Sequence, residues 1–164
     1  MPHKYLAKEF EDFARSAASP EPLMLHVSQR IHLHIPRYNW IGFYLLDKQD
    51  STTLVLGPHA GSFTPAKRIA LHQGLCGWAA STQGTIVADD VREEPRYVQA
   101  SDLVKSQISV PLLVVGKAVG VFNVESYFLG AFKRIEDRTF VEACARIVAA
   151  CYERTALSAP LVHV

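Results

Sequence analysis

Two apolar runs, Ser106 to Val115 and Ala118 to Glu125, are separated by little more than Gly116-Lys117. A glycine at such a junction opens the positive-φ conformations that tight hairpin turns need. The pattern therefore predicts two adjacent antiparallel strands. Any fold for this chain has to be built around that hairpin.

The segments on either side fit a sheet flanked by helices. Leu6, Phe10 and Phe13 lie at helical spacing over residues 5 to 16, until Ala17-Ala18-Ser19-Pro20-Glu21-Pro22 breaks the pattern. A second helix is predicted from Leu23 to about His34, stopped by Pro36. Residues 38 to 47, YNWIGFYLLD, are aromatic and β-branched enough for a strand, and Asp47-Lys48-Gln49-Asp50 reads as its turn. Further strands are predicted at Thr53 to Gly57, Ala66 to Leu71 and Ile86 to Ala88, with a short helix from Leu75 to about Thr82. From Glu136 to about Leu157, Phe140, Cys144, Ile147, Val148, Cys151 and Thr155 share one helical face. The expectation is an α/β (α+β) fold: an antiparallel sheet of five or six strands with N- and C-terminal helices packed on one face.

Length agrees with a single domain over 1–164, with a helical extension at 1–20 and a tail at 158–164. Seventeen basic against sixteen acidic side chains leave a formal charge of +1, so no net field gathers nucleic acid or an acidic membrane surface. No apolar run follows Met1-Pro2-His3-Lys4-Tyr5 and none approaches the length of a membrane span, so a cytoplasmic location is expected. Cys76, Cys144 and Cys151 match neither CxxC nor a zinc-knuckle spacing, and are expected as reduced thiols. His32 and His34 would point about 200° apart on a helix, and the usual nucleotide, zincin and hydrolase motifs are missing. No metal or cofactor is expected.

Three segments taken in order, YNWIGFYLLD at 38 to 47, GLCGWAASTQGTIVADDV at 74 to 91 and VPLLVVGKAVGVFNVES at 110 to 126, resemble the GAF domain. Within that family the chain resembles the free methionine-(R)-sulfoxide reductases over roughly residues 22 to 157. They share a WxGFYL strand (Trp40 to Leu45), an LxLGPxxG segment (Leu54 to Gly61) and a GxCG turn (Gly74 to Gly77). The resemblance implies a ligand pocket walled by Trp40 and Tyr44. It also marks departures. Those reductases carry one cysteine ten residues before the GxCG cysteine and the sulfoxide-attacking cysteine 24 residues after it; here the positions are Ala66 and Ala100. Their substrate-holding carboxylates, a Glu and an Asp-x-Asp, correspond to Gln107, Asn123 and Glu125. Two carboxylates become amides, which weakens the grip on an ammonium and keeps hydrogen bonding.

Sulfoxide reduction needs an attacking thiolate, an acid for the departing oxygen and a resolving thiol. Cys76, at the start of a predicted helix, is the candidate catalytic thiol if the chain is a reductase, because backbone N–H groups and the helix dipole lower a thiol pKa there. It is equally the kind of residue that fills a core. Cys144 and Cys151, about 10 Å apart by helical rise, read as core filling. The loop from Ala88 to Tyr97 either crosses the pocket mouth, with Asp89 or Asp90 facing a ligand, or is solvated surface. Alternation turns Arg68 and His72 to one side of their strand.

Three functions follow. A binding module would hold an unknown small molecule with Trp40, Tyr44, Cys76, Asp89, Gln107, Asn123 and Glu125, and signal to an output partner in trans. A divergent reductase would use Cys76 with an external thiol. An interaction protein would form a homodimer, for which the charged face carrying Arg134, Glu142, Arg146 and Glu153 is a poor surface and the first helix a better one.

Overall fold

The computed structural model describes residues 2–99 and 101–158. Helices α1 (Pro2–Ser16) and α2 (Pro20–His34) precede strands β1 (Trp40–Leu46), β2 (Thr53–Gly61) and β3 (Arg68–Ala70). Helix α3 (Gly74–Thr82), strand β4 (Ile86–Ala88) and a 3₁₀ turn at Val91–Glu93 lead to β5 (Ser106–Val114), β6 (Lys117–Ser126) and the long helix α4 (Ile135–Ser158). The six strands form one antiparallel sheet in the order β3-β2-β1-β6-β5-β4. The expected mixed fold, its sheet and its flanking helices are all present.

Several boundaries differ for local reasons. Helix α1 begins at Pro2 and α2 at Pro20, because a proline is tolerated in a first turn whose N–H groups have no helical partner. The break between them is therefore shorter than the run of prolines and small residues predicts. Strand β2 continues four residues past Gly57, through a register shift that accommodates Pro58, while β3 shrinks to three residues.

The sheet separates two cores. Ile41 and Phe43 of β1, Ile108, Val110 and Leu112 of β5, and Phe122 and Val124 of β6 pack on one face against Leu6 and Phe10 of α1, Leu23 and Ile31 of α2, and Cys144 and Val148 of α4. Trp40, Tyr44 and Val121 face the other way, against Leu75, Cys76, Ala79 and Ala80 of α3. Period-two alternation along each strand produces this division. Helix α1 is tied down at both ends. The His3 ring lies 3.0 Å from the Asp137 carboxylate, which also accepts from Tyr38 and Arg37, and Arg154 donates to the carbonyls of Ala14 and Ala17. Burial pushes the Asp137 carboxyl up, but the hydrogen bonds from Tyr38, Arg37 and His3 outweigh it and hold it below its ordinary value.

The hairpin turn sits one residue earlier than its glycine predicts. Val114 pairs with Lys117, so the two loop residues are Val115 and Gly116, with φ of 50° and 75°. Positive φ at both positions is the type I′ geometry that matches the twist of the flanking strands. Beyond the turn the register is 113↔118 and then 112↔120, leaving Val119 as an extra residue on β6. This bulge brings Gln107 opposite Glu125 and Ser109 opposite Asn123. Without it, the parity of the pairing would set Gln107 against Val124 and turn polar side chains toward the core.

Val115 is 85% exposed and β-branched, yet holds a left-handed backbone conformation. Val115→Asn, which makes the favoured Asn-Gly pair and keeps the N–H that donates to Glu153, is expected to stabilise the fold by about 1 kcal/mol. The urea midpoint should rise at unchanged slope.

Candidate functional site

The hairpin register and the small-residue helix enclose a cavity of about 160 Å³ on the α3 face of the sheet. Its lining comes from Tyr44 of β1, Ala66, Arg68 and Ile69 around β3, residues 73–76 at the start of α3, Val98 and Gln99 of the following loop, Gln107 of β5, and Asn123 and Glu125 of β6. Two glycines allow α3 to sit there. Gly74 has φ of 66°, and a Cβ on Gly77 would come within 2.4 Å of the Ala70 carbonyl oxygen. The helix can approach the end of β3 only without that side chain.

The floor is a hydrogen-bonded chain of two amides, a hydroxyl, a thiol and a carboxyl. Gln107 Nε2 and Ser109 Oγ each donate to Asn123 Oδ1 at 2.8 Å, and Asn123 Nδ2 donates to Glu125 Oε2 at 3.2 Å. The Cys76 sulfur lies 3.6 Å from Ser109 Oγ, so its thiol is an end of the same chain. Asn123 thus accepts two hydrogen bonds and passes the polarity on to Glu125. Ser109 is the residue that sequence reasoning missed. Its signal was available, since alternation along β5 puts 109 on the same face as 107, directly across from Asn123.

Electrostatics follow from burial. Removal from water pushes the Glu125 carboxyl up to about 7, against which the single hydrogen bond from Asn123 works weakly. Burial also raises the Tyr44 hydroxyl, with Cys76 and Glu125 adding to the shift, and the hydroxyl donates to the Ala66 carbonyl at 2.8 Å. For Cys76 the structure reverses the expectation of a lowered pKa. Burial pushes the thiol up to about 12, outweighing the hydrogen bond with Ser109 that acts to lower it, and the Glu125 carboxyl adds to the rise.

The other predicted residues divide. Trp40 is fully buried and stacks behind Tyr44 at 6.0 Å, with its ring folded over Gly42, so it supports the wall and does not line the cavity. Asp89 is not brought to the cavity. Ala88 pairs with Gln107 on the inner face, so the next residue turns outward and is exposed, its carbonyl accepting from Gly130. Asp90 binds Arg92 and caps the 3₁₀ turn. Arg68 reaches the rim and is held by Asp47 at 2.6 Å, whereas His72 packs edge-on against Trp78. Cys144 and Cys151 are buried in the helix-side core, on the opposite face of the sheet from Cys76. Ala66 is in the lining, and Ala100 lies outside the described residues.

A six-stranded antiparallel sheet with the end helices on one face and a cavity under a short helix on the other defines a class of α/β domain. Residues 17–153 match the GAF domain, and the chain belongs to that family. It is 33% identical over 111 residues to the free methionine-R-sulfoxide reductase of Saccharomyces cerevisiae, covering 67% of this chain and 61% of that one. With GAF domain-containing protein A of Dictyostelium discoideum it shares 36% over 99 residues, covering 60% and 61%. The chain thus spans about three fifths of the length of these two relatives. In structure it is similar to the free methionine-R-sulfoxide reductase of Neisseria meningitidis in complex with its substrate, with a TM-score of 0.88 at 27% identity over 96% of this chain and 92% of that one.

The raised carboxyl makes a stability prediction. A folded-state pKa near 7, above the ordinary 4.5, means the unfolded chain releases this proton first, so its stabilising contribution is present at low pH and lost as pH rises toward 7. Glu125→Gln removes that loss. Its stability relative to the parent should improve between about pH 5 and pH 8 by on the order of 3 kcal/mol, read from urea unfolding at the two pH values.

Proposed function

We propose that this chain is a small-molecule-binding GAF domain that acts as a sensor and does not reduce sulfoxides. The observation carrying the reading is the state of Cys76: the sole thiol among the described residues of the cavity is buried, protonated at neutral pH, and separated by the sheet from Cys144 and Cys151. The thiolate is the species that attacks sulfur, and here it is nearly unpopulated. The cavity itself has the form of a binding site, with mostly apolar walls and a few fixed polar groups. Occupancy would be felt at once by the loop carrying Val98 and Gln99 and by α3, the elements that close over it.

The similarity to free methionine-R-sulfoxide reductases favours a second reading. In it, the Cys76 thiolate would attack the sulfoxide sulfur, release the thioether and keep the oxygen as a sulfenic acid. Two equivalents of external thiol would then restore the cysteine, yielding a disulfide and water. The burial of Cys76 and the alanine at 66 weigh against it.

Two measurements separate the readings. Native mass spectrometry of freshly purified protein should find a retained small molecule, or one that binds from a metabolite extract. Consumption of methionine sulfoxide under excess dithiothreitol should match a protein-free control. Turnover that disappears in Cys76→Ala would establish the reductase instead.

A further inference from the structure

The ligand class can be read from the atoms that the floor leaves uncommitted, an inference that rests on the small-molecule-binding reading above. Gln107 uses its Nε2 on Asn123, and Glu125 uses its Oε2 to accept from Asn123. The remaining oxygens, Gln107 Oε1 and Glu125 Oε1, make no hydrogen bond to any of the described residues, although both side chains line the cavity. The floor therefore offers a carbonyl acceptor and a carboxyl group. Among the described residues no cationic side chain joins them on the floor. Arg68 sits at the rim, 55% exposed and bound by Asp47.

Each ligand charge meets this floor differently. A carboxylate would face the Gln107 carbonyl and the Glu125 carboxyl without a counter-charge. An ammonium would need Glu125 ionised while buried, with one Asn123 hydrogen bond to support it. A carboxamide donates N–H to Gln107 Oε1 and accepts O–H from neutral Glu125, so both uncommitted oxygens of the floor are paired and no charge is buried. The walls, Tyr44, Ile69, Leu75 and Val98, suit a flat apolar body. A cavity of about 160 Å³ is close to the roughly 150 Å³ engineered cavity that holds benzene.

We propose that the cavity takes an uncharged planar ligand of the carboxamide class, gripped by Gln107 and Glu125, in preference to an amine or a carboxylate of the same shape. Around Glu125 lie Tyr44 from β1, Cys76 from α3, Gln107 paired with it from β5 and Asn123, which donates to it, from β6, with Arg68 of β3 at the rim. Burial raises both Tyr44 and Cys76, which stay neutral over the range in which Glu125 changes charge.

Benzamide, benzylamine and benzoate share one ring and differ in charge, and calorimetry on the full chain with these three probes tests the assignment. At about pH 6, benzamide should bind at least about tenfold tighter than either ion. At about pH 8, as the carboxyl with pKa near 7 loses its proton, benzamide affinity should fall about tenfold. Glu125→Gln, which keeps a donor at that place and removes the titration, should bind benzamide equally at both pH values. Tighter binding of benzylamine at pH 6, or the same pH dependence in the Gln variant, would overturn the assignment and leave the binding reading standing. If none of the three binds while native mass spectrometry finds a retained molecule, the carboxamide class is again wrong and the pocket still functions. Only the failure of both measurements removes the binding reading itself.

Discussion

One extra residue on β6 determines which side chains floor the cavity. The type I′ turn at Val115-Gly116 starts the β5–β6 pairing in a register that would set Gln107 against Val124. The bulge at Val119 shifts it by one, so that 107 and 109 meet 125 and 123, and Phe122 and Val124 go to the helix-side core. Because the side-chain period of a strand is two, no smaller adjustment achieves this. Strand β1 then reads the same parity, with Trp40 opposite Glu125 and Tyr44 opposite Val121.

The sequence reveals the elements far better than it reveals this register. The hairpin, the amphipathic α4 and the GxCG helix follow from local pattern, because each depends on neighbours three or four residues away at most. The bulge leaves no such trace: Lys117-Ala118-Val119-Gly120 reads as ordinary strand. The placement of Tyr44, Gln107, Asn123 and Glu125 together came from resemblance to a family, and the cavity lining agrees. Local position alone does not settle two residues. The loop leaves Asp89 either across the cavity mouth or on solvated surface, and the parity inherited from Ala88 turns it outward. Cys76 was assigned by its helix end, whereas its ionisation depends on how completely the sheet covers it.

Desolvation sets the chemistry of the whole floor. Cys76, Tyr44 and Glu125 all shift in the same direction, each toward its uncharged form, and the groups linking them are amides and a hydroxyl. With Glu125 protonated, such a floor presents hydrogen-bonding groups and no formal charge. Asn123 is the pivot: its Oδ1 accepts from Gln107 and Ser109 while its Nδ2 reaches Glu125, so its amide orientation is set by its neighbours on two strands.

The sheet is a single backbone layer thick, and each strand spends alternate residues on alternate tasks. Residues 122 and 124 hold α4 and α1 to the molecule, and residues 123 and 125 line the cavity. Selectivity and folding are thereby written in separate letters of the same strand. Exchange of an acid for an amide at an odd position of β6 alters the polarity of the cavity and leaves the helix side untouched. This gives the scaffold latitude to change its cavity without having to be rebuilt.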